Sequence, residues 1–169
     1  MEQIIVGVAD CRVGHAPGQV LATFALGSCI GLSVYDPKAA VGGMLHYMLP
    51  DSTIDPARSR ENPYMFADTG IPKLVEQVCG FGASRRRLIA HAAGGASMMD
   101  PQAVFDIGKR NYLALRKILW KAGILLAGES VGGTNSRTIR LEIGSGRLWL
   151  QENGKPKELV PSFPQKGGN

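Results

Sequence analysis

Apolar and polar positions alternate along residues 3–9 and again along 20–25, the period-two pattern of strands with one face buried. Gly14, Pro17 and Gly18 mark a loop between them. Two more apolar runs, 29–35 and 43–49, flank Asp36-Pro37-Lys38-Ala39, where proline suits the second position of a type I turn. Together they predict a β-hairpin. Residues 50–62 are polar and interrupted by Pro50 and Pro56, which predicts a surface loop. The spacing then changes to that of helices. Ile71, Leu74, Val75 and Val78 form one apolar face after a cap at Asp68 or Thr69 and before Gly80. Leu115, Ile118, Leu119 and Ala122 form another between Asp106 and Gly123. Short strands are predicted at 88–93 and 125–130, with a last hairpin of 138–143 and 147–151 around Gly144-Ser145-Gly146. Hairpins with two main helices predict an α+β fold, an α/β sandwich of mostly antiparallel sheets covered by the helices, rather than a doubly wound parallel sheet.

The length of 169 residues fits one domain, placed at 1–152, followed by a polar, flexible tail at 153–169. No apolar run reaches the roughly 18 residues needed to span a bilayer, and residues 1–10 lack the charge and apolar pattern of a signal peptide, which points to a cytoplasmic protein without membrane insertion. The three cysteines include no C-x-x-C pair, so they fit a reducing compartment better than a disulfide framework. The net charge of +5 is scattered except at Arg85-Arg86-Arg87 and along 109–121, and no aromatics interleave with it to stack bases, so nucleic acid is not expected.

The hairpin carries the candidate chemistry. If Asp36 opposes Ala39, Cys29 falls directly opposite His46, and the same parity gathers Ile30, Leu32 and Val34 with Leu45, Tyr47 and Leu49 on the other face. A thiol needs a base to become a nucleophile at neutral pH, and an adjacent imidazole supplies one. Thr23, six positions before Cys29, offers a hydroxyl to the second ring nitrogen of His46, and the Gly27-Ser28 backbone offers N–H groups to an oxyanion in a substrate-binding turn. The competing reading is packing, because free cysteines are commonly buried. Cys11 and Cys79 take that reading. His15 and His91 show no metal-ligand spacing, and Gly94-Gly95 and Gly132-Gly133 fit no nucleotide-binding pattern, so neither a metal nor a cofactor is expected. Met44 and Met48 either line a groove beside Cys29 or join the core.

Residues 23–29 (TFALGSC), 43–50 (GMLHYMLP), 93–98 (AGGASM), 107–111 (IGKRN) and 131–133 (VGG) with Arg137 together resemble CheD, the chemoreceptor glutamine deamidase of bacterial and archaeal chemotaxis. The likeness runs from about Gln3 to Leu150. It implies hydrolysis of glutamine side chains on methyl-accepting chemotaxis receptors to glutamate, with the family's catalytic Thr, Cys and His at Thr23, Cys29 and His46, and no metal or organic cofactor. It implies a sandwich fold similar to that of toxin Cys-His deamidases, and a CheC-type phosphatase as a second partner in some organisms. The chain departs from the family pattern at His91-Ala92-Ala93 and at Met99. The alternatives are a non-catalytic chemotaxis adaptor binding receptors and a CheC-type phosphatase, or a general Cys-dependent amidase or peptidase.

Overall fold

The computed structural model describes residues 1–97 and 106–160. Met98, Met99 and residues 161–169 lie outside the described residues. Two five-stranded sheets stack on each other. The first has the order β1 (Glu2–Ile5), β3 (Gln19–Leu26), β8 (Arg137–Glu142), β9 (Leu148–Glu152) and β10 (Lys155–Glu158). The second has the order β2 (Asp10–Gly14), β5 (Val41–Tyr47), β4 (Ile30–Asp36), β6 (Ile89–Gly94) and β7 (Leu125–Val131). Neighbours are antiparallel except β1 with β3 and β6 with β7. This is the expected α+β sandwich.

Beyond the second sheet lie the two main helices, α2 (Ala67–Gly80) and α3 (Ile107–Ala122), which follow the short α1 (Pro56–Glu61). Ile71, Leu74, Val78, Leu115 and Leu119 from these helices pack with Ile30, Leu32, Leu45 and Tyr47. On the opposite face Tyr35, Met44 and Ala93 meet Leu21, Ile139 and Leu150 of the first sheet. Every residue of β4 and β5 is therefore buried, one face under helices and the other under a sheet. Met44 belongs to this inter-sheet core and lines no groove.

Several expectations change in detail. The strand expected at 3–9 ends at Ile5, and β2 forms where a loop was expected. The polar segment 50–62 contains α1, with Pro56 in its first turn and the Asp55 carboxylate accepting from Arg58 N–H at 3.1 Å. Asp68 does not cap α2. It lies within the first turn and accepts from Ser52 N–H and Oγ at 2.9 and 2.6 Å instead. Asp106 does cap α3, accepting from Lys109 N–H, and Gly123 ends it in the left-handed conformation at φ 68°. The expected loose tail gives way at Lys155–Glu158 to β10, an edge strand on β9 whose four residues are exposed.

The hairpin register is shifted by two residues from the expected one. Asp36 pairs with Val41 across a longer turn, 37–40, in which Ala40 adopts φ 52°, and His46 consequently sits opposite Gly31 rather than Cys29. A shift of two preserves the side-chain faces, so the division of the hairpin between its two cores stands.

Candidate active site

Three elements meet at the end of the sandwich where β3 passes into β4. β3 carries a one-residue bulge between Thr23 and Leu26 against β8, with Ala25 at φ 55°. Such a bulge bends the strand and re-aims the chain beyond it. Gly27, Ser28 and Cys29 then cross from the first sheet to the second. Cys29 packs against the inter-sheet core, the layer that also receives Met44 from β5. His46, two positions further along β5, points into the same layer and reaches Thr23 on the facing sheet. Thiol and imidazole thus share a face, although they are not directly opposed in the ladder.

The Thr23–His46 contact fixes the imidazole's proton. Thr23 Oγ1 lies 2.8 Å from the Val6 carbonyl and 2.7 Å from His46 Nδ1. A hydroxyl has one proton, and a carbonyl can only accept, so Thr23 donates to Val6 and accepts from Nδ1–H. His46 Nε2 is left with its lone pair. That atom is buried and has no hydrogen-bond partner. Gly31 eases the approach: a Cβ there would stand 2.8 Å from Leu26 Cδ1 and 3.2 Å from the Thr23 methyl, so these side chains would have to shift where the hydroxyl meets the ring.

The cysteine loop is held by its carbonyls. Ala96 N–H donates to Gly27 O, Asn111 Nδ2 to Ser28 O and Gly95 N–H to Cys29 O, each at 2.9 Å. A trans peptide directs its N–H away from its carbonyl, so this anchoring turns the Ser28 and Cys29 N–H groups to the other side of the loop. Gly94, at φ 115°, is required here, because any Cβ would collide with the Cys29 carbonyl. Behind this turn Gly132 N–H and Arg137 Nη1 both donate to Gly94 O, which gives the 131–137 segment a supporting place.

Asn111 was not singled out for chemistry by the sequence reading, yet it ties the site together. Fully buried on the inner side of α3, it donates from Nδ2 to both Ser28 O and Met48 O at 2.9 Å, joining the cysteine loop to the strand that carries His46. The detectable signal was an asparagine at a core-facing helical position, where a polar residue needs a partner.

Burial sets the protonation states. It raises the Cys29 thiol above its ordinary value, opposed in part by the residue's own N–H, and lowers the His46 imidazole to about 4. The resting pair is a neutral thiol and a neutral imidazole with a bare Nε2. No hydrogen bond joins Cys29 Sγ to His46 Nε2 in this arrangement, so a proton passes between them only when the thiol approaches the ring. The other candidates sit elsewhere. Cys11 is buried in the helix-side core, Cys79 flanks it, His15 stacks on Phe81 at 4.8 Å, and buried His91 lines a separate cavity beside Tyr35. Among the described residues no group of three His, Cys, Asp or Glu side chains could hold a metal ion.

A family model described as "CheD chemotactic sensory transduction" matches residues 48–152. A protein of Solibacter usitatus (strain Ellin6076), named "Probable chemoreceptor glutamine deamidase CheD", is 94% identical over 169 residues, the whole of both chains. The chain belongs to the CheD family. A CheD 1 of Syntrophus aciditrophicus (strain SB), bearing the same probable deamidase name, is 46% identical over 92% of this chain and 98% of its own. A CheD 2 of Anaeromyxobacter dehalogenans (strain 2CP-C) is 44% identical over 94% of this chain and 100% of its own. The CheD family model begins beyond Thr23, Cys29 and His46, whereas the alignment with the Solibacter CheD spans all three.

Proposed function

We propose that this CheD-family protein is a cytoplasmic protein-glutamine deamidase that converts specific glutamine side chains of methyl-accepting chemotaxis receptors to glutamate. Cys29 is the nucleophile, His46 the general base and Thr23 the group that orients it. As the substrate carboxamide enters, His46 Nε2 takes the thiol proton and Sγ attacks the carbonyl carbon. The oxyanion is met by the backbone N–H groups of the Gly27-Ser28-Cys29 turn. The imidazolium then protonates the departing nitrogen, ammonia leaves, and a thioester remains. His46 next removes a proton from water, which attacks the thioester and releases glutamate and the Cys29 thiol. No step needs a metal or an organic cofactor, and family likeness adds a CheC-type phosphatase as a second partner.

The observation that carries this reading is the lone pair of His46 Nε2, buried, unpartnered and left free by the Thr23 bond on the other nitrogen. The test mixes purified protein with receptor cytoplasmic fragments and follows peptide mass. Wild type is expected to add about one dalton at each converted glutamine and to release ammonia, and Cys29→Ala is expected to do neither while melting like wild type. Conversion by the Cys29→Ala protein would remove the assigned nucleophile. Receptor binding by wild type with no mass shift would favour a non-catalytic adaptor, and release of ammonia from free glutamine would favour a general amidase.

A further inference from the structure

α3 buries one side against the second sheet and turns the other to solvent. Its exposed positions include Lys109, Arg110, Arg116, Lys117 and Lys121, and no acidic residue occurs among the helix's 16 positions. Leu113 and Trp120 lie on the same outward face and are 52% and 86% exposed. Lys121 is favourably placed in the last turn of the helix, but Lys117 and Lys121 are like charges four residues apart and repel.

The face is a ridge between two grooves. One, of about 420 Å³, separates α3 from Pro50 and Asp51, with Arg110, Lys117 and Lys121 on its wall and the carboxylates of Asp51 and Asp68 opposite. The other, of about 430 Å³, runs between Arg116 and Trp120 and the start of β7, and among the described residues no acidic side chain lines it. Arg85 extends the positive strip at the helix end, where its Nε donates to Ala122 O at 3.1 Å. The strip begins beside the catalytic loop: Arg110 adjoins Asn111, whose amide holds Ser28 O, and Pro50 lies four positions beyond His46.

Resting on the deamidase reading, we infer that this face docks carboxylate-bearing helical segments of the receptor, holding residues that are already glutamate while Cys29 acts on a neighbouring glutamine. Each turnover replaces a neutral carboxamide with a carboxylate, so a cationic ridge grips a receptor helix more tightly as conversion proceeds. Side grooves flanking an exposed Leu and Trp suit the side chains of a helical partner better than a flat lipid surface.

The test measures the affinity of the Cys29→Ala protein for receptor cytoplasmic fragments in two forms, with glutamine or with glutamate at the modifiable positions. The glutamate form is expected to bind about tenfold more tightly at about 50 mM salt, with the preference lost at about 0.5 M, where charges are screened over a few ångströms. Adding Lys117→Glu and Lys121→Glu is expected to abolish the preference, and adding Trp120→Ala to weaken both forms while keeping it. Thermal melts of each variant establish that it is folded. Equal binding of the two forms, or a preference that survives charge reversal in the folded protein, overturns the inference. So does charge reversal that leaves receptor affinity unchanged but removes binding to vesicles containing about one-third phosphatidylglycerol, which would make the face a lipid surface. Any of these results leaves the deamidase reading standing; absence of a mass shift with wild type would end that reading instead.

Discussion

At the turn end of the β4–β5 hairpin, Asp36 is fully buried and richly bonded, whereas at the open end His46 is almost as buried and its Nε2 accepts nothing. The Asp36 carboxylate accepts from the N–H groups of Lys38, Ala39 and Ser84 at 2.9, 3.2 and 2.8 Å, and Arg87 Nη2 lies 2.8 Å away. Burial alone would raise its pKa, but Arg87 and these three N–H groups prevail and hold the carboxyl well below its usual range. One end of the hairpin spends its polar group on fixing the turn; the other leaves an acceptor open at a cost of about 1–3 kcal/mol. The difference separates frame from chemistry within a pair of adjacent strands.

The largest expected effect on stability is at the frame end. Asp36→Ala leaves three N–H donors and the Arg87 guanidinium without their acceptor and frees the turn, and is expected to lower unfolding stability by about 3 kcal/mol in urea titrations. The rate of glutamine conversion per folded molecule is expected to stay at the wild-type level. A fall in that rate, measured where the protein remains folded, would mean that the two ends are coupled and that the contrast is wrong.

Acid distinguishes the ends next. Because the folded protein holds His46 near 4 against an ordinary value near 6.5, the unfolded chain takes up a proton first as pH falls. Stability contributed by the neutral ring is thus present above about pH 6.5, is lost progressively between there and pH 4, and falls no further below it. The full loss is about 3 kcal/mol, at about 1.4 kcal/mol per tenfold change in proton affinity. His46→Gln is expected to remove this part of the slope, leaving the part due to His91, which burial also lowers. The kcat/KM profile of wild type is expected to keep its acid limb well below pH 6. An acid limb near 6.5, together with an unaltered stability slope in His46→Gln, would contradict a buried neutral base.

What the sequence revealed follows the same division. The faces of the hairpin were legible because Ile30, Leu32 and Val34 alternate with Gly31 and Ser33, and Thr23 was legible as a hydroxyl six positions before Cys29 on the preceding strand. The register was not legible, since it depends on Ala40 adopting a left-handed backbone that no glycine or asparagine announces. β10 escaped detection because Lys155–Glu158 contains no apolar residue and takes its stability from pairing with β9. α1 escaped because it buries no side chain and stands on its Asp55 cap. Asn111 was hidden most completely. Its partners, Ser28 O and Met48 O, are backbone atoms far away in the chain, and no local pattern encodes them.

The smallest expected effect concerns Thr23, and it probes how much the open end depends on one proton. Thr23→Val preserves shape, including the methyl packed against Gly31, but removes the acceptor for Nδ1–H and the donor to Val6 O. Without that acceptor the ring can shift its proton to Nε2, the tautomer that cannot accept from Cys29. The variant is expected to lose roughly tenfold in kcat, about 1.4 kcal/mol, with KM little changed, and Thr23→Ser is expected to recover most of the loss. Nitrogen NMR of the imidazole provides a readout that packing damage alone would not move: Nδ1–H in wild type and in the serine variant, a mixture in the valine variant. If the valine variant keeps the Nδ1–H tautomer and full kcat, the ring is oriented by its surroundings without the hydroxyl. If it loses kcat with the tautomer intact, the Thr23 oxygen acts through the Val6 bond and the geometry of the inter-sheet layer rather than through the proton on His46.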